Sequence, residues 1–151
     1  MRVYRLCKAR WAATAWSGEG ALRYAGRWHF AGTPVVYTAA GRALAALELL
    51  VHLEIRHAPP SFVLIPAEVP DPLIETLEDP PPGWDALPPG DVSRRLGTGW
   101  ARSGASVGLR VPSVVLRGEH NVLLNPSHPD FARVAVGEPE PFAFDPRLLG
   151  G

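Results

Sequence analysis

Gly41-Arg42-Ala43-Leu44-Ala45-Ala46-Leu47-Glu48-Leu49-Leu50-Val51-His52-Leu53-Glu54-Ile55-Arg56-His57 is the stretch on which the reading of this chain turns. Alanine and leucine dominate it, and both form helices well. A helix is therefore predicted from about Gly41 to His57, stopped by Ala58-Pro59-Pro60. On a helical wheel Ala43, Leu44, Ala46, Leu47, Leu50, Val51 and Leu53 cover most of the circumference, the pattern of a buried helix. Glu48 interrupts that surface. A carboxylate is costly to bury unless it is paired or hydrogen-bonded, and buried acids in clefts are candidates for catalysis. The competing reading is a partly exposed side chain beside His52 and Arg56.

Outward from this helix the chain reads as short strands. Residues 34–39, Pro-Val-Val-Tyr-Thr-Ala, cluster β-branched and aromatic side chains, as do residues 2–6 and 61–69. Residues 107–116 read as one or two strands broken at Pro112-Ser113, and residues 131–136 as a last strand. Residues 10–20 read as an ordered loop or short helix ending in Ser17-Gly18-Glu19-Gly20. The proline-rich residues 79–90 form a loop, after which Asp91 caps a short helix through Leu96. The Pro- and Glu-rich tail after Gly137 is expected on the surface. One helix-rich segment among many strands, with no repeat and no linker, predicts a single α+β domain over residues 1–151.

Composition bounds the function. The chain has 15 basic and 15 acidic residues, so the basic excess of a nucleic-acid binder is missing and direct DNA binding is not expected. The charges are unevenly spread: residues 1–60 carry eight Lys/Arg against three acids, and residues 61–151 carry seven against twelve. A basic pocket for an anionic ligand in the first part is one reading, and a dipolar surface without function is the other. The single cysteine, Cys7, permits no intrachain disulfide and fits a reducing cytoplasm. It reads as a small buried apolar residue rather than a nucleophile. The N-terminus lacks the apolar run of a signal peptide, and no stretch reaches the roughly 18 apolar residues of a membrane helix.

Three further residues stand out. Arg27, in Gly26-Arg27-Trp28-His29, carries a planar guanidinium suited to bidentate phosphate binding; a surface arginine stacked on Trp28 is the alternative. Tyr37, central in a strand, either stacks on a flat ring or sits in the core with its hydroxyl bonded. Ser113 has no nucleophile elbow around it, so its hydroxyl either binds a ligand or satisfies strand backbone groups. His120 and His128 match no zinc spacing, and no metal is expected. The glycines of Ser17-Gly18-Glu19-Gly20 make neither a Rossmann turn nor a P-loop.

Taken in order, several stretches resemble the RES domain, named for its Arg, Glu and Ser. They are Ser17-Gly18-Glu19-Gly20-Ala21, Gly26-Arg27-Trp28, Gly32 to Ala39, Ala43 to Glu48, Val111-Pro112-Ser113, and Asn121 to Phe131, together covering roughly residues 10–135. The resemblance puts the name residues on Arg27, Glu48 and Ser113, with Tyr37 as a further active-site position. Arg27, Tyr37 and Glu48 are then the catalytic residues, and Arg27, Tyr37, Ser113, Ser17 and Gly18 bind substrate. His29 stands where the family usually has Asn, and Ala25 where Gly is common.

The resemblance implies a fold like that of bacterial ADP-ribosyltransferase toxins and a toxin that depletes NAD⁺ by cleaving the nicotinamide–ribose bond. NAD⁺ is then the substrate and no cofactor is expected. Water, inorganic phosphate as co-substrate, or a protein side chain remains open as acceptor. Its implied partner is an Xre-type helix-turn-helix antitoxin, with a homodimer inside that complex. A protein ADP-ribosyltransferase with the same pocket is the first alternative, and a non-enzymatic antitoxin-binding module the second.

Overall fold

The computed structural model describes residues 1–54 and 60–150. Its frame is a sheet whose strands are β1 (Arg2–Lys8), β2 (Val36–Ala39), β3 (Phe62–Glu68), β4 (Ile74–Thr76), β5 (Gly108–Pro112), β6 (His120–Leu124), β7 (Ala135–Val136) and β8 (Glu140–Phe142). They run in the order β4-β5-β6-β2-β1-β3-β7, with β8 also paired to β3. Every pairing is antiparallel except β4 with β5. Three helices pack around the sheet: α1 (Glu19–Arg23), α2 (Arg42–Leu50) and α3 (Asp91–Ser103). The α+β expectation is borne out.

Strand alternation sorts the core onto two faces. In β6 the side chains of Val122 and Leu124 join Val3, Val36, Val69 and Val107 in one cluster, while Leu123 joins Val35, Leu109, Val111, Trp28 and Trp100 in another. Burying an aliphatic side chain is worth about 1.5–3 kcal/mol, so these clusters fix the register. A slip of one residue would exchange the two faces. The second cluster needs α3 close to Trp28, and Gly97 allows it: a Cβ there would lie 1.8 Å from the Trp28 carbonyl oxygen.

Four boundaries differ from expectation. Helix α2 ends at Leu50, with a turn at Val51 and His52, both exposed; residues 55–57 of the expected helix, and its Ala58-Pro59 stop, lie outside the described residues. At Val51 and His52 the chain no longer has a face to bury, and helices in proteins are held mainly by such packing. Helix α3 runs to Ser103, not Leu96, because Gly97, Thr98, Trp100 and Ala101 are buried against the core. Packing there outweighs the poor helix propensity of two glycines. Residues 129–133 form a 3₁₀ turn where a strand was expected, leaving only Ala135–Val136 extended. The tail is not wholly superficial: β8 pairs with β3, and Phe144 packs edge-on against Phe62 and Phe142.

Candidate functional site

A cavity of about 830 Å³ opens between α2, the ends of β1, β2, β5 and β6, the turn at residues 25–28 and the loop at 87–89. Arg27, Tyr37 and Glu48, chosen from the sequence, all line it. Among the described residues its remaining charged lining residues are Arg5 and Arg94. Three guanidiniums thus face one carboxylate, which selects an anionic ligand.

Glu48 sits on the inner face of α2, reaching the ends of β5 and β6. Its Oε1 accepts from the Ser113 hydroxyl at 2.7 Å and from the Asn121 amide at 2.6 Å. Oε2 has no hydrogen bond among the described residues, so the carboxylate is held through one oxygen and offers the other. The Ser113 hydroxyl also accepts the backbone N–H groups of Val115 and Leu116, both at 3.1 Å. One hydroxyl hydrogen and two lone pairs are then all in use. Ser113 is 1% exposed and does not line the cavity. The Ser113 hydroxyl thus holds Glu48 and satisfies nearby backbone groups, the second of the two sequence readings, and it is placed away from the cavity where the first would have had it contact a ligand.

Arg27 lies in a turn that α3 clamps. Ser93 donates to the Arg27 carbonyl at 2.6 Å, the Arg94 Nε to the Gly26 carbonyl at 2.9 Å, and the Phe30 N–H to the Thr98 hydroxyl at 2.9 Å. These acceptors and donors fall on one helical face, at spacings of one, four and five residues. Nη1 of Arg27 donates to the carbonyls of Trp84 and Ala86, at 3.0 and 2.9 Å. The proline-rich loop is fastened by the same contact, by Trp84 stacked on Trp28 at 5.9 Å, and by an Arg117–Asp85 ion pair. Burial lowers the proton affinity of Arg27, while the charges of Glu48 and Asp85 raise it. Stacking on Trp28, the sequence alternative for Arg27, is taken by Trp84 instead.

Tyr37 is central in β2, opposite Leu123 of β6. Its hydroxyl accepts the Trp28 N–H at 3.1 Å and lies 2.7 Å from His29 Nδ1. Burial pushes the phenol well above its ordinary value, so it stays protonated. The Tyr37 hydroxyl is bonded inside the protein, and the residue lines the cavity.

Ser17 and Gly18 are not part of the cavity lining. The Ser17 hydroxyl donates to the Thr14 carbonyl and accepts the Glu19 N–H, shaping the entry to α1. Gly18 serves that turn: it lies at φ 77°, and a Cβ there would lie 2.9 Å from Pro34 Cβ and 3.1 Å from Pro126 Cγ. His128 accepts the Asp130 N–H and His120 bonds Arg110, so each has a local structural partner.

Arg5, Arg94 and Asn121 escaped the sequence reading. Arg5 is the most telling. Its Nη1 donates to the Tyr37 carbonyl at 2.9 Å, and its Nε is buried with no partner. Among the described residues it has no ion pair, and burial lowers its proton affinity. A buried cation without a counter-ion costs free energy that an anionic ligand would recover. Its sequence signal was a charge between Tyr4 and Leu6 in a strand central to the sheet.

Residues 2–145 match the model of the RES domain. The chain is 39% identical over 151 residues to Toxin Res of Yersinia enterocolitica, covering 98% of this chain and 99% of that protein. It is 41% identical over 138 residues to the Prs ADP-ribosylating toxin of Sphingobium sp., covering 88% and 86%. Among solved structures it resembles the M. tuberculosis MbcT-MbcA toxin–antitoxin complex, with a TM-score of 0.73 and 17% identity over 99% of this chain and 86% of that one. An identity that low speaks for the fold alone.

Proposed function

The chain belongs to the RES domain family, and from that premise we propose that it is the toxin of a toxin–antitoxin pair and cleaves the nicotinamide–ribose bond of NAD⁺. The observation that carries this reading is one carboxylate, anchored through Oε1, facing Arg5, Arg27 and Arg94 across a single cavity. NAD⁺ has the complementary charges, a pyrophosphate and a cationic nicotinamide ring. Nicotinamide leaves as a neutral molecule, so the transition state gathers positive charge on the ribose, as in glycoside cleavage. Glu48 Oε2 stabilises that charge. The guanidiniums of Arg27 and Arg5 hold the pyrophosphate, and the Tyr37 ring packs on the nicotinamide. Following NAD⁺ by chromatography with antitoxin-free protein, with and without inorganic phosphate, tests the reading. Loss of NAD⁺ with release of nicotinamide is expected. Intact NAD⁺ after long incubation with folded protein refutes it and leaves a binding module.

A second reading, transfer of ADP-ribose to a protein, is favoured by the relative named an ADP-ribosylating toxin. Mass spectrometry of co-expressed proteins separates the two: an ADP-ribose adduct on a protein marks transfer, and free ADP-ribose or its phosphate marks destruction of the dinucleotide. We place the reaction in the cytoplasm, with an Xre-type antitoxin as partner and a homodimer within that complex. An antitoxin accords with the structural neighbour having been solved as a toxin–antitoxin complex. The Xre type rests on the family resemblance, and a chain with no net charge needs its partner to reach DNA.

A further inference from the structure

We propose that His29 is a positioning residue for Tyr37, its ring accepting the Tyr37 hydroxyl proton and so locking both the phenol and the Arg27 turn against the cavity. The inference rests on the proposed reaction for its consequence, and on geometry for its substance. His29 is 3% exposed and does not line the cavity. Its Nε2 lies 2.8 Å from the Tyr24 carbonyl and its Nδ1 lies 2.7 Å from the Tyr37 hydroxyl. A carbonyl only accepts, so Nε2 carries the hydrogen. In the neutral ring Nδ1 is then an acceptor, and the Tyr37 O–H must donate to it. The phenol oxygen at the same time accepts the Trp28 N–H.

These bonds close a small circuit. The Gly26 N–H donates to the His29 carbonyl at 3.1 Å, so the residues around Arg27 form a tight loop pinned at both ends. Gly26 is packed into the circuit: a Cβ there would lie 2.6 Å from the Tyr37 oxygen and 2.9 Å from His29 Cε1. The Tyr37 hydrogen is therefore turned away from the cavity, and Tyr37 meets a ligand through its ring rather than through a donated proton.

Protonation breaks this arrangement. With hydrogen on Nδ1 as well, the phenol oxygen faces two N–H donors and its own hydrogen loses its acceptor. The groups that bear on the ring come from three sides. Burial and the Arg94 guanidinium on α3 disfavour the charged ring, the backbone of Tyr24 and Ala21 at and within the end of α1 favours it, and Tyr37 on β2 supplies the hydroxyl. The net shift is downward from the ordinary histidine value. The neutral form thus holds at neutral pH and gives way on the acid side. Both stability and activity should be full above the ordinary histidine range and fall as pH drops below it.

Two measurements test this. Nitrogen NMR of the histidine side chains at neutral pH, in the full chain, should show His29 as the neutral Nε2–H tautomer; a Nδ1–H or charged ring overturns the proposal, and the measurement needs no turnover. Kinetics and melting curves are then recorded for His29→Asn, His29→Phe, Tyr37→Phe and the His29→Phe/Tyr37→Phe double variant. His29→Asn supplies one acceptor and one donor, so it should retain most of kcat and lose the acid fall. His29→Phe should lower kcat/KM by about 10- to 100-fold through misplacement of the cavity wall, with the double variant no worse than the worse single one. Additive effects, or equal losses in His29→Asn and His29→Phe at normal melting temperature, refute it. If His29→Phe does not fold, the pH profiles of the wild type and His29→Asn decide: the same acid fall in both refutes it. A correct tautomer without NAD⁺ cleavage would sink the proposed reaction and leave the circuit standing.

Discussion

Glu48→Gln separates the two tasks a carboxylate can have here. In the wild type Oε1 takes two hydrogen bonds, at 2.7 Å from Ser113 and 2.6 Å from Asn121. A glutamine can turn its carbonyl oxygen to the same two donors and present its NH₂ group where Oε2 stood. Both anchors survive, each changed from a bond to a charged acceptor into a neutral one. That difference is about 1 kcal/mol per bond, so the fold loses about 2 kcal/mol at most, less whatever is regained by not desolvating a charge. For a chain of this size the melting temperature should fall by roughly 4–8 °C or less. Turnover should fall far more, by about 10²–10³-fold, because one aligned electrostatic contact to the developing cation is gone. NAD⁺ binding should change little, since the ground-state ribose carries no such charge. The assay is melting, NAD⁺ binding and turnover on one preparation. A folded Glu48→Gln protein with near-normal turnover removes Glu48 from the chemistry.

Arg5→Met should raise the KM for NAD⁺ by roughly tenfold or more, the worth of a hydrogen bond to a charged group, while leaving the melting temperature unchanged or higher, because an uncompensated buried cation is gone; a lower melting temperature with unchanged KM would make Arg5 purely structural. Arg27→Lys keeps the charge but cannot hold the Trp84 and Ala86 carbonyls and present a planar fork as well. Its turnover should fall at least about tenfold with the fold intact, and full turnover would exclude a bidentate contact. Gly97→Ala drives a methyl into the Trp28 carbonyl, so α3 must shift at a cost of about 3 kcal/mol, read as a melting temperature lower by roughly 6–12 °C; an unchanged melting curve would mean that α3 does not hold that turn.

How far the sequence could be read depended on range. Local patterns placed β1, β2, β3 and the start of α2 well, since alternation and helix periodicity are written in neighbouring residues. Helix α3 was read only through Leu96, yet it runs on to Ser103 past two glycines of poor helix propensity. Only the Trp28 backbone, about seventy positions away, explains why position 97 is small. Strand β8 was missed for a similar reason, its partner β3 being far off in sequence. Glu48, Arg27 and Tyr37 were legible as unusual residues in regular surroundings. The partners that fix them were not: Asn121 bonds Glu48 across 73 positions and Ser113 across 65.

The site's design lies in how its charges are tied. Each of the four charged side chains on the cavity wall is fastened through one atom: Glu48 through Oε1, Arg27 through Nη1, Arg5 through Nη1 and Arg94 through Nε. Glu48 Oε2 is left free of hydrogen bonds among the described residues, while Arg5 Nε stays buried without a partner. The three arginines are anchored on four backbone carbonyls, which cannot swing away as a carboxylate partner can, and which leave most of the positive charge uncancelled. A site of this kind does not reorganise when charge develops in the substrate, the condition under which fixed dipoles and charges lower a barrier most. A chain with equal numbers of acids and bases still presents a cationic cavity because, among the described residues, Glu48 is the one carboxylate on its wall. Loss of an anchor such as Asn121 should therefore depress kcat more than it raises KM, because it loosens the alignment of a charge without removing it.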